Sequence, residues 1–337
     1  MGYKLLLEDK MAENAVKTRK KRRVRFKALA IVELLVIAGL GAALAWECLI
    51  KDKVTDEEAV AVVAQTEDPQ VRARAVIEKE ETLYQLDGKK ILIHDSTYGE
   101  IFMPVFADVP ASTLDMDSIV TRNGYSFYKE NGEVTSLAGV DVSEYQGDID
   151  WQQVKSAGID FAMIRVGYRS YGGGVITLDE RFADNLKGAN EAGIKTGVYF
   201  FSQAISTDEA IEEADAVLDA IAPYDITYPV VYDWELIYDD SARTDSMTVE
   251  MLADCCISFC ERVRSAGYTP MIYQNKGTSM FKLDLPRLTD YDFWLAEYND
   301  EPSYYYEYKM WQYASDGTVP GISGEVDMNL CFKDYSQ

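Results

Sequence analysis

The sequence predicts an eight-stranded β/α barrel over residues 138–337, and three observations predict it. The first is a recurring helix-to-strand join. Ser156-Ala157-Gly158-Ile159, Glu191-Ala192-Gly193-Ile194 and Ser265-Ala266-Gly267-Tyr268 each close a polar, helix-like stretch with glycine at the capping position, and an apolar run follows. The second is their interval: Gly158 and Gly193 lie 35 residues apart and Gly267 follows 74 later, so one more unit of similar length fits between. Strands recurring at that interval with helices between them form parallel βαβ units. The third is Tyr228-Pro229-Val230-Val231-Tyr232-Asp233-Trp234-Glu235, an apolar run that reads as a buried strand ending in two carboxylates.

In chain order the expected strands are Ala138 to Val142, Phe161 to Val166, Thr196 to Phe201, the run ending at Asp233 and Glu235, Thr269 to Tyr273, Phe293 to Ala296, Lys309 to Tyr313 and Glu325 to Met328. The missing unit is filled by a helix from Asp208 to Ala222. Eight strands make a closed barrel the economical arrangement. In such barrels working residues sit at the C-terminal strand ends. Those ends offer Asp141, Asp233 with Glu235, Gln274 with Asn275, Glu297 with Tyr298, and Asp327 with Asn329.

Ahead of the barrel the chain changes character twice. Residues 17–27 carry eight Lys/Arg, and Ala28 to Trp46 follows with Glu33 as its single charge. Nineteen such residues span a bilayer core, so a membrane helix is expected over 28–48, with a basic tail at 1–27 in the cytoplasm and the rest outside. A signal peptide cut near Ala45 is the competing reading, and it also exports the bulk of the chain. Residues 51–137 read as a stem. Its first part is helical, with Asp68-Pro69 as a helix start. Its second is a small β module with hairpin turns at Asp87-Gly88 and Asn131-Gly132. A spacer role is expected for it.

Composition removes several chemistries. His94 is the only histidine in 337 residues and lies far upstream of the acidic strand end, so Ser-His-Asp or Cys-His catalysis and His-rich zinc sites are excluded from the barrel. Cys48, Cys255, Cys256, Cys260 and Cys331 form neither a disulfide ladder nor a metal spacing, and Cys255, Cys256 and Cys260 read as small buried side chains. The net charge of −24 argues against a nucleic-acid partner, whose phosphates need Lys/Arg. No cofactor and no metal are expected, and the chemistry must use carboxylates.

Alternation along a strand puts Asp233 and Glu235 on one wall with Cβ atoms roughly 7 Å apart. With Asp141 and Asp327 they make an acidic rim. Aromatic side chains at neighbouring strand ends, Tyr199, Tyr273, Trp294, Trp311 and Tyr313, suit a sugar, because rings present flat apolar faces while carboxylates grip hydroxyls.

The motifs Ala138-Gly139-Val140-Asp141-Val142-Ser143-Glu144-Tyr145-Gln146-Gly147, Asp150-Trp151, Ile164-Arg165-Val166-Gly167-Tyr168, Asp233-Trp234-Glu235, Trp294-Leu295-Ala296-Glu297-Tyr298, Trp311-Gln312-Tyr313 and Val326-Asp327-Met328-Asn329 occur in that order. Together they resemble glycoside hydrolase family 25, the N-acetylmuramidases of the Chalaropsis and Cellosyl type. The resemblance implies a flattened (β/α)5β3 barrel of the TIM type and hydrolysis of the β-1,4 bond between N-acetylmuramic acid and N-acetylglucosamine in peptidoglycan. It implies Glu235 as general acid, with Asp233, Asp141 and Asp327 as the other catalytic carboxylates. Tyr199, Tyr273, Trp294, Tyr298, Trp311, Tyr313 and Arg165 become the expected substrate contacts, peptidoglycan glycan strands the partner, and the outer face of a Gram-positive membrane the location. Many relatives carry His after the tyrosine of the third strand, where this chain has Phe200-Phe201.

A proton on Glu235 near neutral pH is expected to be held by repulsion from Asp233. The two-residue spacing falls between the retaining and inverting separations. The resemblance adds a third course, in which the substrate's own N-acetyl group attacks and Asp233 stabilises the intermediate. Family 18 chitinases also end a strand in Asp-x-Glu, but their fuller pattern needs Asp at positions 228 and 231, where this chain has Tyr228 and Val231. Action on another N-acetylated glycan such as chitin, and an inactive wall-binding scaffold, are the alternatives. The chain ends within ten residues of Asp327, so membrane tethering is expected in place of a wall-binding module.

Overall fold

The structure, a computed structural model, describes residues 86–95, 99–237 and 241–336. The expected cytoplasmic tail, the 28–48 membrane span and the helical part of the stem lie outside the described residues. Among the described residues no helix is long and apolar enough to cross a membrane.

Among the described residues, eight strands close a barrel. They are β6 (Leu137–Val142), β7 (Phe161–Arg169), β9 (Lys195–Ser202), β10 (Val230–Trp234), β11 (Pro270–Asn275), β12 (Asp292–Ala296), β13 (Met310–Gly317) and β14 (Val326–Cys331). The pairs from β6 round to β13 are parallel, and β14 runs antiparallel to both β13 and β6, which seals the ring. A short strand β8 (Ile176–Leu178) hangs on the edge of β7. Helices α1 (Trp151–Ser156), α2 (Phe182–Glu191), α3 (Thr207–Ile221), α4 (Val249–Ser265) and α5 (Lys276–Lys282) follow the first five barrel strands. The last three strands have no helix after them, so the count is five strand–helix units and three strands.

The glycine signals work as read. Gly158, Gly193 and Gly267 end α1, α2 and α4 with φ of +93°, +71° and +92°, the left-handed conformation that lets the chain turn from helix to strand. Helix starts are equally local: Ser206 and Thr248 cap α3 and α4 through their hydroxyls. Cys255, Cys256 and Cys260 lie in α4 as buried free thiols.

Strand parity divides the core. Phe161, Met163, Val231, Met271, Met310 and Cys331 fill the barrel interior. Val140, Ile164, Val198, Tyr232, Ile272 and Leu330 belong to the outer layer, against the helices. Gly139 is required where it stands, since a Cβ there would come within 2.2 Å of the Phe161 ring.

The small β module corrects two expectations. Asp87-Gly88 is not a hairpin turn: β1 (Leu86–Asp95) runs through it and pairs with β2 (Gly99–Phe106), with a register irregularity between Leu86 and Lys90. A bulge absorbs the dipeptide that otherwise favours a turn. The tight turns are Asn123-Gly124, between β3 (Ile119–Arg122) and β4 (Tyr125–Glu130), and Asn131-Gly132, between β4 and β5 (Glu133–Val134). All four of these residues have positive φ, as a type I′ hairpin demands.

Nor is the module a detached spacer. Met103, Val105 and Phe106 are part of the outer core layer. The Tyr306 hydroxyl accepts the Phe106 N–H at 3.0 Å, the Tyr313 hydroxyl accepts the Ser126 N–H at 3.3 Å, and Ala111 bridges to Tyr306. Where helices are lacking after β12 and β13, this module and the Tyr304–Tyr308 loop cover the outward side chains of the last strands.

Candidate active site

Four acids meet at the C-terminal rim. Asp141 ends β6, and Asp327 lies opposite it in register at the start of β14. Antiparallel partners bring Cβ atoms within about 5 Å, so two like charges are set face to face. Asp233 stands near the end of β10, between Phe201 of β9 and Tyr273 of β11 in register. Glu235 follows two residues later, half-buried, with its carbonyl held by the Gln203 side-chain amide at 2.9 Å. Gln203 is itself fixed by the Thr244 hydroxyl at 2.8 Å.

These carboxylates are treated unequally. Asp141 Oδ2 accepts the amide N–H groups of Gln312 and Asn329, both at 2.7 Å. Asp233 is 4% exposed and its Oδ1 makes no hydrogen bond among the described residues. Burial, then the charges of Glu235 and Asp141, push the Asp233 carboxyl well above the ordinary range, with Arg165 opposing them. Burial and the Asp141 charge raise Glu235 to about 7. Burial, then Asp141, raise Asp327 to about 8. Asp141 itself is raised by burial to about 6, restrained by its two amide donors. Asp141 is thus a second negative neighbour of Glu235, beside the mutual repulsion of Glu235 and Asp233 that the strand spacing predicts. Asp233 Oδ1 has no donor to stabilise a charge, and burial raises its carboxyl.

The expected substrate contacts separate into three groups. Tyr199, Tyr273 and Trp294 pack edge to face inside the top of the barrel, with ring centroids 6.1 Å apart for Tyr199–Trp294 and 4.8 Å for Tyr273–Trp294. Tyr298 is 53% exposed, an open ring at the rim. Trp311 and Tyr313 have the opposite parity and face the outer layer. Trp311 is fully buried with its N–H given to the Glu297 carbonyl at 2.9 Å, and Tyr313 is tied to Ser126, so both rings serve packing. Arg165 rises from β7 into the rim, clamped by Asp179 at 2.8 Å and Glu144 at 3.1 Å and sandwiched by Tyr145 and Tyr168.

Glu297 is a loop anchor: it accepts the backbone N–H groups of Ser303 and Tyr304 and pairs with Lys276 at 3.2 Å. Phe200 is buried in the outer layer, and Phe201, opposite Asp233, is the phenylalanine that reaches the rim. The sequence offers Asn329 as a strand-end residue beside Asp327 and Gln312 only within a motif; the structure joins both on Asp141 Oδ2. Their parity with Asp327 along the β13–β14 pair was the signal that turned them inward.

Residues 140–322 match the glycosyl hydrolases family 25. The chain belongs to glycosyl hydrolase family 25. It is 27% identical over 194 residues to the autolytic lysozyme of Clostridium acetobutylicum, an alignment covering 57% of this chain and 55% of that protein. It is 28% identical over 210 residues to lysozyme M1 of Streptomyces globisporus, covering 58% and 68%. Among solved structures, the modular autolysin LytC of Streptococcus pneumoniae superposes with a TM-score of 0.51 at 25% identity, over 73% of this chain and 57% of that one. The chain thus spans little more than half the length of the autolytic lysozyme and of LytC.

Proposed function

We propose that this family 25 chain is a peptidoglycan hydrolase that cuts the β-1,4 bond between N-acetylmuramic acid and N-acetylglucosamine, tethered outside the membrane through residues 28–48. The observation that carries the reading is the contrast between Glu235 and Asp233. One is a rim carboxyl raised to about 7, and the other a buried carboxyl with an unpaired oxygen. The relatives named lysozyme and autolysin supply the substrate class.

In this reading Glu235 donates its proton to the leaving glycosidic oxygen as the bond from C1 breaks. The carbonyl oxygen of the substrate's 2-acetamido group closes on C1, forming an oxazolinium ion. Asp233 Oδ1 accepts the acetamido N–H, the donor it lacks in the protein. That hydrogen bond favours the ionised carboxylate just as positive charge develops beside it. Water then attacks C1 as the oxazolinium C1–O bond breaks and restores the acetamido group, and Glu235, now a carboxylate, takes the water's proton. Asp141 and Asp327 position the sugar, and Tyr298 offers it a ring face.

Glu235→Gln tests the assignment. Turnover of purified peptidoglycan is expected to fall by about 10²–10⁴-fold, with glycan binding kept. Unchanged release of reducing sugar contradicts the general-acid role.

A further inference from the structure

We propose that Gln312 and Asn329 are positioning residues that make Asp141 the standing negative charge of the site, fixing one of its oxygens and leaving the other for substrate. The proposal rests on the glycosidase reading above and adds the device that distributes charge among the four acids.

Gln312 and Asn329 are register partners across the β13–β14 pair, and both amides converge on Asp141 Oδ2 at 2.7 Å. The Asn329 amide is not free to turn round. Trp294 Nε1, which can only donate, gives its N–H to Asn329 Oδ1 at 2.8 Å, so the Asn329 nitrogen must face Asp141. The hydroxyls of Tyr273 and Tyr298 both reach Gln312 Oε1 at 2.8 Å. The hydroxyls and indole N–H behind the amides come from β11, β12 and the loop after β12, so three segments support two N–H groups aimed at one oxygen. Gln312 is 4% exposed and Asn329 fully buried, which excludes water as a substitute.

Donors at this distance to a carboxylate favour its ionised form. Among the described residues no side-chain donor reaches Asp233, Glu235 or Asp327. The groups whose charges bear on this cluster are Asp327 on β14, Asp233 on β10, Glu235 beyond it, Arg165 on β7, Tyr199 on β9, Tyr273 on β11 and Tyr298. Among the described residues Arg165 is the one cation there, and Asp179 and Glu144 already hold it. The two amides are therefore what selects Asp141 to carry the charge. That charge in turn holds the Glu235 proton.

The test is kcat/KM against pH for the full-length chain on purified peptidoglycan, comparing the parent with Gln312→Met and Asn329→Leu, with thermal unfolding recorded alongside. The acid limb reports ionisation of Asp141 and the alkaline limb loss of the Glu235 proton. Losing a donor moves the acid limb up and, by weakening the Asp141 charge, the alkaline limb down. The expected result is a bell narrowed from both sides and a kcat lowered by about 10²-fold at its optimum. Tyr298→Phe removes one donor to Gln312 at the surface and reproduces a smaller narrowing, which keeps the test alive if the buried variants do not fold. Folded variants whose limbs coincide with the parent's overturn the proposal and leave the glycosidase reading standing. If the parent cuts nothing, that reading fails on its own, and ¹³C-carboxyl NMR titration of the same proteins decides this one. Asp141 ionising first among the four acids, and later in the variants, supports it; an unmoved Asp141 contradicts it.

Discussion

Asp327 faces Asp141 directly across the antiparallel seam that closes the barrel, so two carboxylates stand where a cross-strand pair normally avoids like charge. Burial and that opposition raise Asp327 to about 8, while the amides of Gln312 and Asn329 restrain Asp141 at about 6. The site thus holds protons and charge on different oxygens of one acidic cluster, as an acid catalyst near neutral pH requires.

Activity is expected to depend on the Glu235 proton. Its carboxyl is raised to about 7, so the catalytically competent form is present below that pH and is lost as pH rises through it. A pH–rate profile should fall on its alkaline side near 7, and a flat profile to pH 9 contradicts the assignment.

Stability should run the same way. The carboxyls of Asp141, Asp233, Glu235, Asp327 and, behind the barrel, Glu213 are all raised in the fold. Between the unfolded carboxylate range near pH 4 and the raised values up to about 8, the folded state binds more protons than the unfolded one, so stability declines as pH rises. The melting temperature is expected to be higher at pH 5.5 than at pH 8. Asp233→Asn, which removes a buried charge without a partner, should raise stability at pH 8 by about 1–3 kcal/mol while abolishing turnover. A melting temperature that climbs from pH 5.5 to 8 contradicts this account.

Assistance by the substrate predicts dependence on the acetamido group. Peptidoglycan de-N-acetylated at the sugar bonded through the scissile C1 should be cut about 10²-fold more slowly or not at all. Equal cleavage of acetylated and deacetylated strands, measured by product chromatography, removes the role given to Asp233 Oδ1.

The β module should be needed for the barrel. A chain begun at Ala138 takes Phe106 from Tyr306, Ser126 from Tyr313 and Tyr128 from Phe332, each ring worth roughly 1.5–3 kcal/mol when buried, and is expected to bind hydrophobic dye and melt without cooperativity. Tyr313→Phe, which strips the acceptor from the Ser126 N–H, should cost about 1–3 kcal/mol in denaturant unfolding. A cooperative fold for the shortened chain sinks the idea that the module is structural.

Much of this architecture was legible because its signals are local. Gly158, Gly193 and Gly267 mark helix ends through a conformation other residues resist, and the run from Val230 to Trp234 shows its strand by apolar content alone. Asp141, Asp233, Glu235 and Asp327 were legible because acids at strand ends share one rim by topology. What escaped depends on pairing between distant segments. Asp87-Gly88 has turn chemistry, yet β2 pairs straight across it. Trp311 and Tyr313 look like Tyr273 and Trp294 in sequence, and only register turns them into the outer layer, where Trp311 binds the Glu297 carbonyl and Tyr313 meets Ser126. The hydrogen bonds to Asp141 were hidden for the same reason, since their donors, Gln312 and Asn329, lie 171 and 188 residues away.

The most direct test is digestion of purified peptidoglycan by the full-length chain, with the new reducing ends identified by mass spectrometry. Reducing N-acetylmuramic acid, lost in Glu235→Gln, is the predicted result. Reducing N-acetylglucosamine, or no cut by a protein shown to be folded, would contradict it.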